Sequence, residues 1–460
     1  MKHSLFSEFQ EIPAKQWKQK IQSELEGADY NETLVTKTPE GINIKPFYSA
    51  EDLKDSLAPT PVASWNICEK IYAGNALVAN KKALQAVGKG AESILFTIPK
   101  EDIQLDALFD DFPFETIAIH IEPHFLSVGF TEKLIHFFSD TKADIHYHLD
   151  IVGHLARSGN WYFNMKKDID VFCQLQKLLA KASEFKTTTT IETSLYQNAG
   201  ADIVQQLAYA MAHANEYLNL SGGNPVSFCF KTAIGSNYFF EIAKLKALRL
   251  LWKTLAGEYN IENDCQLFCT STKRNKTLYD YNVNMLRTTT ESMSAVLGGA
   301  NTICTLPYDA IYHKDNEFGS RIARNQLLIL KHESYFDKVQ NPTDGAYYIE
   351  SLIKELAEKA LTLFKQIEAG GGFLSQLKDH IIQKKIKETA ASEQKGFHAN
   401  EKILVGTNKY QNPTDRMENE LELYPFVKTE ARKTLLEPII ESRLAESVEQ
   451  KRLKDEHPPS

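Results

Sequence analysis

The 460-residue chain exceeds one average domain but suits a single large barrel with appended helices. Its 43% hydrophobic and 24% charged residues are the balance of an ordinary globular protein. A net charge of -8 excludes nucleic acid or an anionic membrane surface as the main partner.

The chain opens MKHSLFSEFQEIPAKQW, with no apolar core of signal-peptide type, and nowhere does an apolar run reach the roughly 18 residues of a membrane span. A cytoplasmic location is expected. Residues 1–60 read as an N-terminal arm. In it SEFQEIPAKQWKQKIQSEL places Trp17 and Ile21 on one helical face, and a Pro-rich stretch, APTPVASW, follows.

From there to about residue 345 short apolar runs recur: SILFTIP near Ser93, ETIAIHIE near Glu115, DIHYHLDIV near Asp144, TTTTIETS near Thr187, VSFCFKTA near Val226, CQLFCTST near Cys265 and NTICTLP near Asn301. A weaker one, SYFDKVQNP, lies near Ser334. Segments of helical period separate most of them. Eight such alternations predict an α/β fold, a (β/α)8 TIM-type barrel over 61–345, although an open doubly wound sheet has the same rhythm. Beyond Gly345 the strand signal fades into a helical linker and tail, 346–460. There IESLIKELAEKALTLFKQIEAGG reads as an amphipathic helix ended by Gly370, Gly371 and Gly372, and the charged last stretch is expected to fray.

Several groups of residues invite a chemical reading. The six cysteines, Cys68, Cys173, Cys229, Cys265, Cys269 and Cys304, form no CxxC pair and read as buried reduced thiols. HYHLD puts His146, His148 and Asp150 on one face of a strand; a His-x-His pair can hold a metal, which makes a metal-dependent hydrolase one candidate. The later strands offer few further ligands, Glu192 among them, so ordinary hydrogen-bonded polar residues are the competing reading and no metal site is assigned. The four threonines of TTTTIETS suit a strand by propensity and would also line an open lumen. Arg321 and Arg324 in SRIARNQ share a helical face and suit either an anion clamp or ion pairs to a neighbouring element. No dinucleotide fingerprint, Walker loop, nucleophile elbow or HExxH is present.

A set of stretches, in order along the chain, resembles the adenosylcobalamin-dependent methylmalonyl-CoA mutase family. They are WKQKIQSELEGADY, IYAGN, YQNAGADIVQQLAYAMAHANEYL, AIGSNYFFEIAKLKALRLLW, RTTTESMSAVLGGANTICTLPYD, SRIARNQ, NPTDGAYYIESL and VGTNKY, and they cover most of residues 15–410. The resemblance implies a (β/α)8 barrel threaded by CoA, a helical linker and a flavodoxin-like cobalamin domain. The implied chemistry is the radical interconversion of methylmalonyl-CoA and succinyl-CoA, the barrel enclosing the radical away from water.

This sequence departs from that plan. No cobalamin-binding domain is expected, because the chain ends about fifty residues after VGTNKY. The nearest approach to the cobalt-ligating DxHxxG motif begins at Asp144 and has Leu149 where glycine is required. Where the family's active chains read SGYHMQEAGA, this one reads ETSLYQNAGA, so Ser194 replaces the Tyr and Leu195 the His that donates to the thioester carbonyl. Losing one such donor costs roughly 2.7–4 kcal/mol of transition-state stabilisation. A family Gln falls on His148, which retains donor capacity; a substrate-carboxylate Arg falls on Ser158, with Arg157 beside it; the Arg-Pro-Trp-Thr CoA contact has no counterpart around Trp65 to Cys68; Tyr72 of the YAG turn persists. The resemblance therefore implies the small subunit of a heterodimeric mutase, a non-catalytic scaffold. Adenosylcobalamin would sit on a large catalytic partner, and Tyr72 and His148 would be vestiges of a substrate site. The competing implication is a catalytic barrel that uses a cobalamin domain in trans.

Overall fold

A strand packed on both faces can carry apolar residues continuously, and β-strands Ser93–Ile98 and Phe228–Ile234 are buried at every position. The computed structural model describes residues 7–53, 64–221, 227–262, 264–339 and 341–456. Within them the barrel strands are β1 (Asn66–Tyr72), β2 (Ser93–Ile98), β3 (Ala118–Pro123), β4 (Ile145–Tyr147), β5, β6 (Phe228–Ile234), β7 (Gln266–Ser271) and β8 (Thr302–Cys304), and the arm holds a separate two-stranded ribbon, Thr36–Lys37 with Asn43–Ile44. β5 is split at Thr188 into Phe185–Thr187, paired with β4, and Thr189–Glu192, paired with β6. At the break the Thr188 hydroxyl donates to Gln176 Oε1 at 2.8 Å, and the Gln176 amide donates to the Thr188 carbonyl at 2.9 Å, pulling the backbone outward. All pairings within the barrel are parallel, β8 returns to β1, and the two halves of β5 complete the eight-stranded ring.

Helices clothe the outside, several with a side-chain cap at the N-terminus. Asn75 accepts from Val78 N, Ser127 from Phe130 N, Asn164 from Lys167 N and Asn316 from Gly319 N. Between β2 and β3 the helix shrinks to one turn, Leu105–Leu108, and Phe109, Phe112 and Phe114 pack edge-on against Phe96, Phe137 and Phe138 in its place.

The seven stronger strand expectations are met, with two corrections. NICEKIY, residues Asn66–Tyr72, is the first strand, so the YAG turn follows it rather than preceding the barrel. Its central Glu69-Lys70 pair breaks the apolar run; Glu69 is held outside by Arg324 and Lys70 points inward to Glu122. SYFDKVQNP is not a strand: a π-helical turn, Ile329–Glu333, precedes it, and Tyr335 and Val339 are exposed. The arm helix is Ala14–Glu24 and has no buried residue; the Pro-rich stretch lies outside the described residues up to 63. The long linker helix spans Tyr347–Ala369 and stops at Gly370. The tail does not fray up to Glu456. Arg443 and Glu449 are buried against each other at 2.6 Å, and backbone bonds run from Leu436 N to Gly159 O, Ile439 N to Ala156 O and Ser442 N to Asn198 O.

The small residues of TTTESMSAVLGGA have a packing cause. They form helix Val283–Leu297, which lies against helix Tyr238–Glu258 so closely that a Cβ on Gly298 would sit 2.7 Å from Leu245 Cδ1. Glu291 in that helix is buried and accepts from Lys276 Nζ at 2.8 and 2.9 Å and from Asn275 at 2.7 Å. Removing one partner of a buried pair leaves the other charge uncompensated. Lys276→Met is expected to lower the urea-unfolding free energy by about 3–5 kcal/mol, and the double change Lys276→Met with Glu291→Leu to recover most of it.

Candidate functional site in the barrel lumen

Residues opposite one another in a parallel ladder share a face, so the register identifies the lumen lining. Leu95, His120 and His146 are aligned across β2, β3 and β4, and Thr97 with Glu122 one step higher. Glu192, Lys231 and Phe268 are aligned across β5, β6 and β7. These side chains meet in the middle. Phe268 on β7 packs edge-on against His120 on β3, the diametrically opposite strand, with ring centroids 5.0 Å apart, and against His148 at 5.5 Å. His120 stacks on His146 at 4.5 Å and on His148 at 5.2 Å.

Above the rings lies a layer of charge. Lys231 reaches across from β6 to Glu122 on β3 and also pairs with Glu192 Oε2 at 3.3 Å. Lys70 from β1 contacts the same Glu122 at 3.0 Å, and the Thr97 hydroxyl donates to it at 2.9 Å. Burial works against both charges, but the ammoniums of Lys231 and Lys70 hold the Glu122 carboxyl well below its usual range. Glu122 and Glu192 in turn lift Lys231 above the ordinary lysine range.

Each expected site residue has a definite place. His148 spends both ring nitrogens inside the protein, Nδ1 on the Thr190 hydroxyl at 2.8 Å and Nε2 on His120 Nδ1 at 3.0 Å. His146 contacts the Thr187 hydroxyl at 3.0 Å and Asp144 at 3.3 Å. Asp150 does not continue their strand face. It caps helix Ile151–Ser158 through Gly153 N at 2.7 Å and accepts from Tyr217 at 2.7 Å and Glu192 N at 2.9 Å, with His213 Nε2 at 3.0 Å. Among the described residues no group of three or more His, Cys, Asp or Glu is arranged to hold a metal. Ser194 donates to Glu192, and Leu195, in the short helix Ser194–Asn198, is wholly buried in the main apolar core. Tyr72 stands at the mouth, 63% exposed, its ring so close over Gly74 that a Cβ there would meet Cε1 at 2.5 Å. Arg157 pairs with Glu441 of the tail at 3.3 Å, and the Ser158 hydroxyl turns to Asn160 O at 2.7 Å. Arg324 is an ion-pair residue on Glu69, and Arg321 lies over the Phe318 ring at 5.6 Å.

Sequence reasoning passed over His120, Glu122, Lys231 and Phe268. The period-two alternation of IAIHIEP and FCFKTAI, with His120, Glu122 and Lys231 in the slots between apolar residues, is the signal that marks them.

Residues 104–455 match the family model for methylmalonyl-CoA mutase. The chain belongs to the methylmalonyl-CoA mutase family. It is 33% identical to the methylmalonyl-CoA mutase small subunit of Porphyromonas gingivalis, over 90% of this chain and 72% of that one. It is 29% identical to the methylmalonyl-CoA mutase of Rhizobium meliloti, over 88% of this chain and 64% of that one. It is 30% identical to the methylmalonyl-CoA mutase large subunit of Porphyromonas gingivalis, over 61% of this chain and 40% of that one. The chain thus spans less than three quarters of the small subunit's length and under two thirds of the Rhizobium meliloti protein's.

The family is cobalamin-dependent, and the residues described here do not fit that cofactor's cobalt-ligating motif. His146 occupies its histidine place, yet sits in the barrel wall with both ring nitrogens engaged and Leu149 buried beyond it. No helix among the described residues is long and apolar enough to cross a membrane.

Two measurements probe the filled lumen. Lys231→Met strands Glu122 and Glu192 without their shared cation and is expected to cost about 3–5 kcal/mol by urea unfolding at pH 7. The second is a pH dependence. Burial first, then neighbouring cations and imidazoles, depress His120 and His148 well below 6.5, and burial takes His154 down to about 4. Below pH 6.5 the unfolded chain therefore binds protons that the folded one refuses. Stability should be full above about pH 7 and fall steadily as pH drops through 6.5 towards 4, read as urea midpoints across that range.

Proposed function

We propose that this chain is the small subunit of a heterodimeric methylmalonyl-CoA mutase, a scaffold whose own barrel performs no chemistry. The observation that carries the reading is the contact across the barrel axis: rings from β3 and β7 meet at 5.0 Å beneath the Lys231–Glu122 bridge. A pantetheine arm cannot pass through a lumen whose opposite walls touch. The mouth also lacks the means to act on an acyl group. Leucine at 195 has no proton to donate, and His148 has committed both nitrogens to Thr190 and His120. Tyr72 and His148 are on this reading remnants of a substrate site, with no catalytic residue in the chain.

Likeness to a small subunit, from an organism whose large subunit also resembles this chain, supports a large catalytic subunit as partner. That partner would carry adenosylcobalamin and catalyse the interconversion of methylmalonyl-CoA and succinyl-CoA. A cytoplasmic setting accords with acyl-CoA substrates.

What this chain contributes is shape. An eight-stranded ring stiffened by a packed lumen presents a rigid outer surface, and rigid surfaces suit obligate assembly because little ordering entropy is lost on docking. The arm helix Ala14–Glu24, none of whose residues is buried, is available for that contact.

Purification from the native cell should yield the chain with a larger subunit bearing DxHxxG, and the isolated chain should show no turnover of methylmalonyl-CoA with adenosylcobalamin. Turnover by this chain with a separately supplied cobalamin-binding chain, while its large partner is absent, would establish the trans-acting alternative instead. Recovery only as a monomer or self-dimer would defeat the scaffold reading.

A further inference from the structure

The barrel closes where its last strand meets its first, and the seam is short. β8 has three residues and pairs with β1 at Thr302↔Asn66 and Ile303↔Ile67. The next position in that register sets Cys304 directly opposite Cys68. Both side chains point into the lumen, where they form one cluster with Leu95, Cys229 and Phe268. Adjacent strands stand roughly 4.8 Å apart. That separation lies within the Cα range of natural disulfides, and the inward curvature of a barrel brings lumen-facing Cβ atoms closer still.

We propose that Cys68 and Cys304 are a redox-active dithiol that closes into a disulfide and staples the first strand of the barrel to the last. The inference stands apart from whether the chain is catalytic.

The chemistry at the seam suits it. The two sulfurs lie in one buried cluster, with Lys70 and Lys231 bearing on Cys304 from the charged layer above. The neighbouring Cys68 thiol first, then those ammoniums, draws the Cys304 thiol down, whereas burial pushes Cys68, Cys229, Cys265 and Cys269 up. The cations beside Cys304 favour it as the attacking sulfur of the pair. Its thiolate attacks one oxygen of hydrogen peroxide; the O–O bond breaks, a sulfenic acid forms, and the departing hydroxide takes a proton to become water. The Cys68 sulfur then attacks the sulfenic sulfur. The S–S bond forms, the S–O bond breaks, and the hydroxyl leaves as a second water with the proton of Cys68. Two thiols and one peroxide give one disulfide and two waters; a dithiol reductant returns the disulfide to two thiols by exchange and is itself oxidised to a disulfide. Cys68 and Cys304 are 5% and 6% exposed, so an oxidant that reaches them must be as small as hydrogen peroxide.

The consequence is mechanical. Opening the β1–β8 seam is one way to unroll the barrel, and the cross-link encloses all the strands between its ends. Closing so long a loop restricts the unfolded chain strongly.

The test uses the folded full-length chain, with its partner where they co-purify. After mild hydrogen peroxide, alkylation under denaturing conditions and proteolysis, mass spectrometry should find the Cys68 and Cys304 peptides joined, with Cys173, Cys229, Cys265 and Cys269 alkylated. The oxidised chain should unfold several degrees higher than the reduced one and return on treatment with dithiothreitol. Cys304→Ser should lose both the joined peptide and the thermal shift. Recovery of Cys68 and Cys304 as separate alkylated peptides from oxidised wild-type protein would overturn the proposal, as would joining of either to Cys229, and neither reading depends on a variant folding.

Discussion

The Lys231–Glu122 bridge and the rings beneath it decide what the rest of this barrel can be. A (β/α)8 barrel is normally a packed core, and its chemistry sits in the loops at the carboxyl ends of its strands. A relative that threads a ligand through the lumen must leave small groups there. Here the lumen carries Phe268, three imidazoles, a leucine and two carboxylates bridged by lysines, and opposite walls are in contact. Two buried ions gain little stability from each other unless their remaining hydrogen-bonding capacity is met. Glu122 meets that condition through Lys231, Lys70 and Thr97, drawing together β1, β2, β3 and β6. The bridge therefore ties strands that have no backbone hydrogen bonds to one another.

The mouth is organised by a second polar centre. Asp150 receives the Gly153 and Glu192 amides and the Tyr217 hydroxyl, and meets His213, which itself contacts Tyr196. These bonds fix the end of β4 to the end of β5. In the short helix that follows β5, Leu195 is an aliphatic side chain packed wholly in the core. The tail across 434–446 then crosses the same end of the barrel, held by Gly159, Ala156, Asn198 and Glu441 contacts.

Much of this was legible from residue order. Apolar runs separated by helical period gave seven of the eight strands, because parallel strands buried on both faces leave a continuous signature. β1 escaped because Glu69 and Lys70 interrupt its run, and their partners, Arg324 and Glu122, lie 255 and 52 residues away. SYFDKVQNP passed for a strand because exposed Tyr335 and Val339 have the composition of one. Asp150 passed for a strand-face residue because the strand phase was carried three residues beyond its true end at Tyr147.

The sequence by itself determined the family, the barrel class and the absence of an imidazole at position 195, since each is a matter of which residues occur and in what order. Whether the lumen is open or filled was decided only by tertiary structure. Alternation assigns side chains to a face, but it cannot say that Phe268 and His120, 148 positions apart, reach one another across the axis. Strand closure sets that distance, and closure depends on how all eight strands tilt and pair at once.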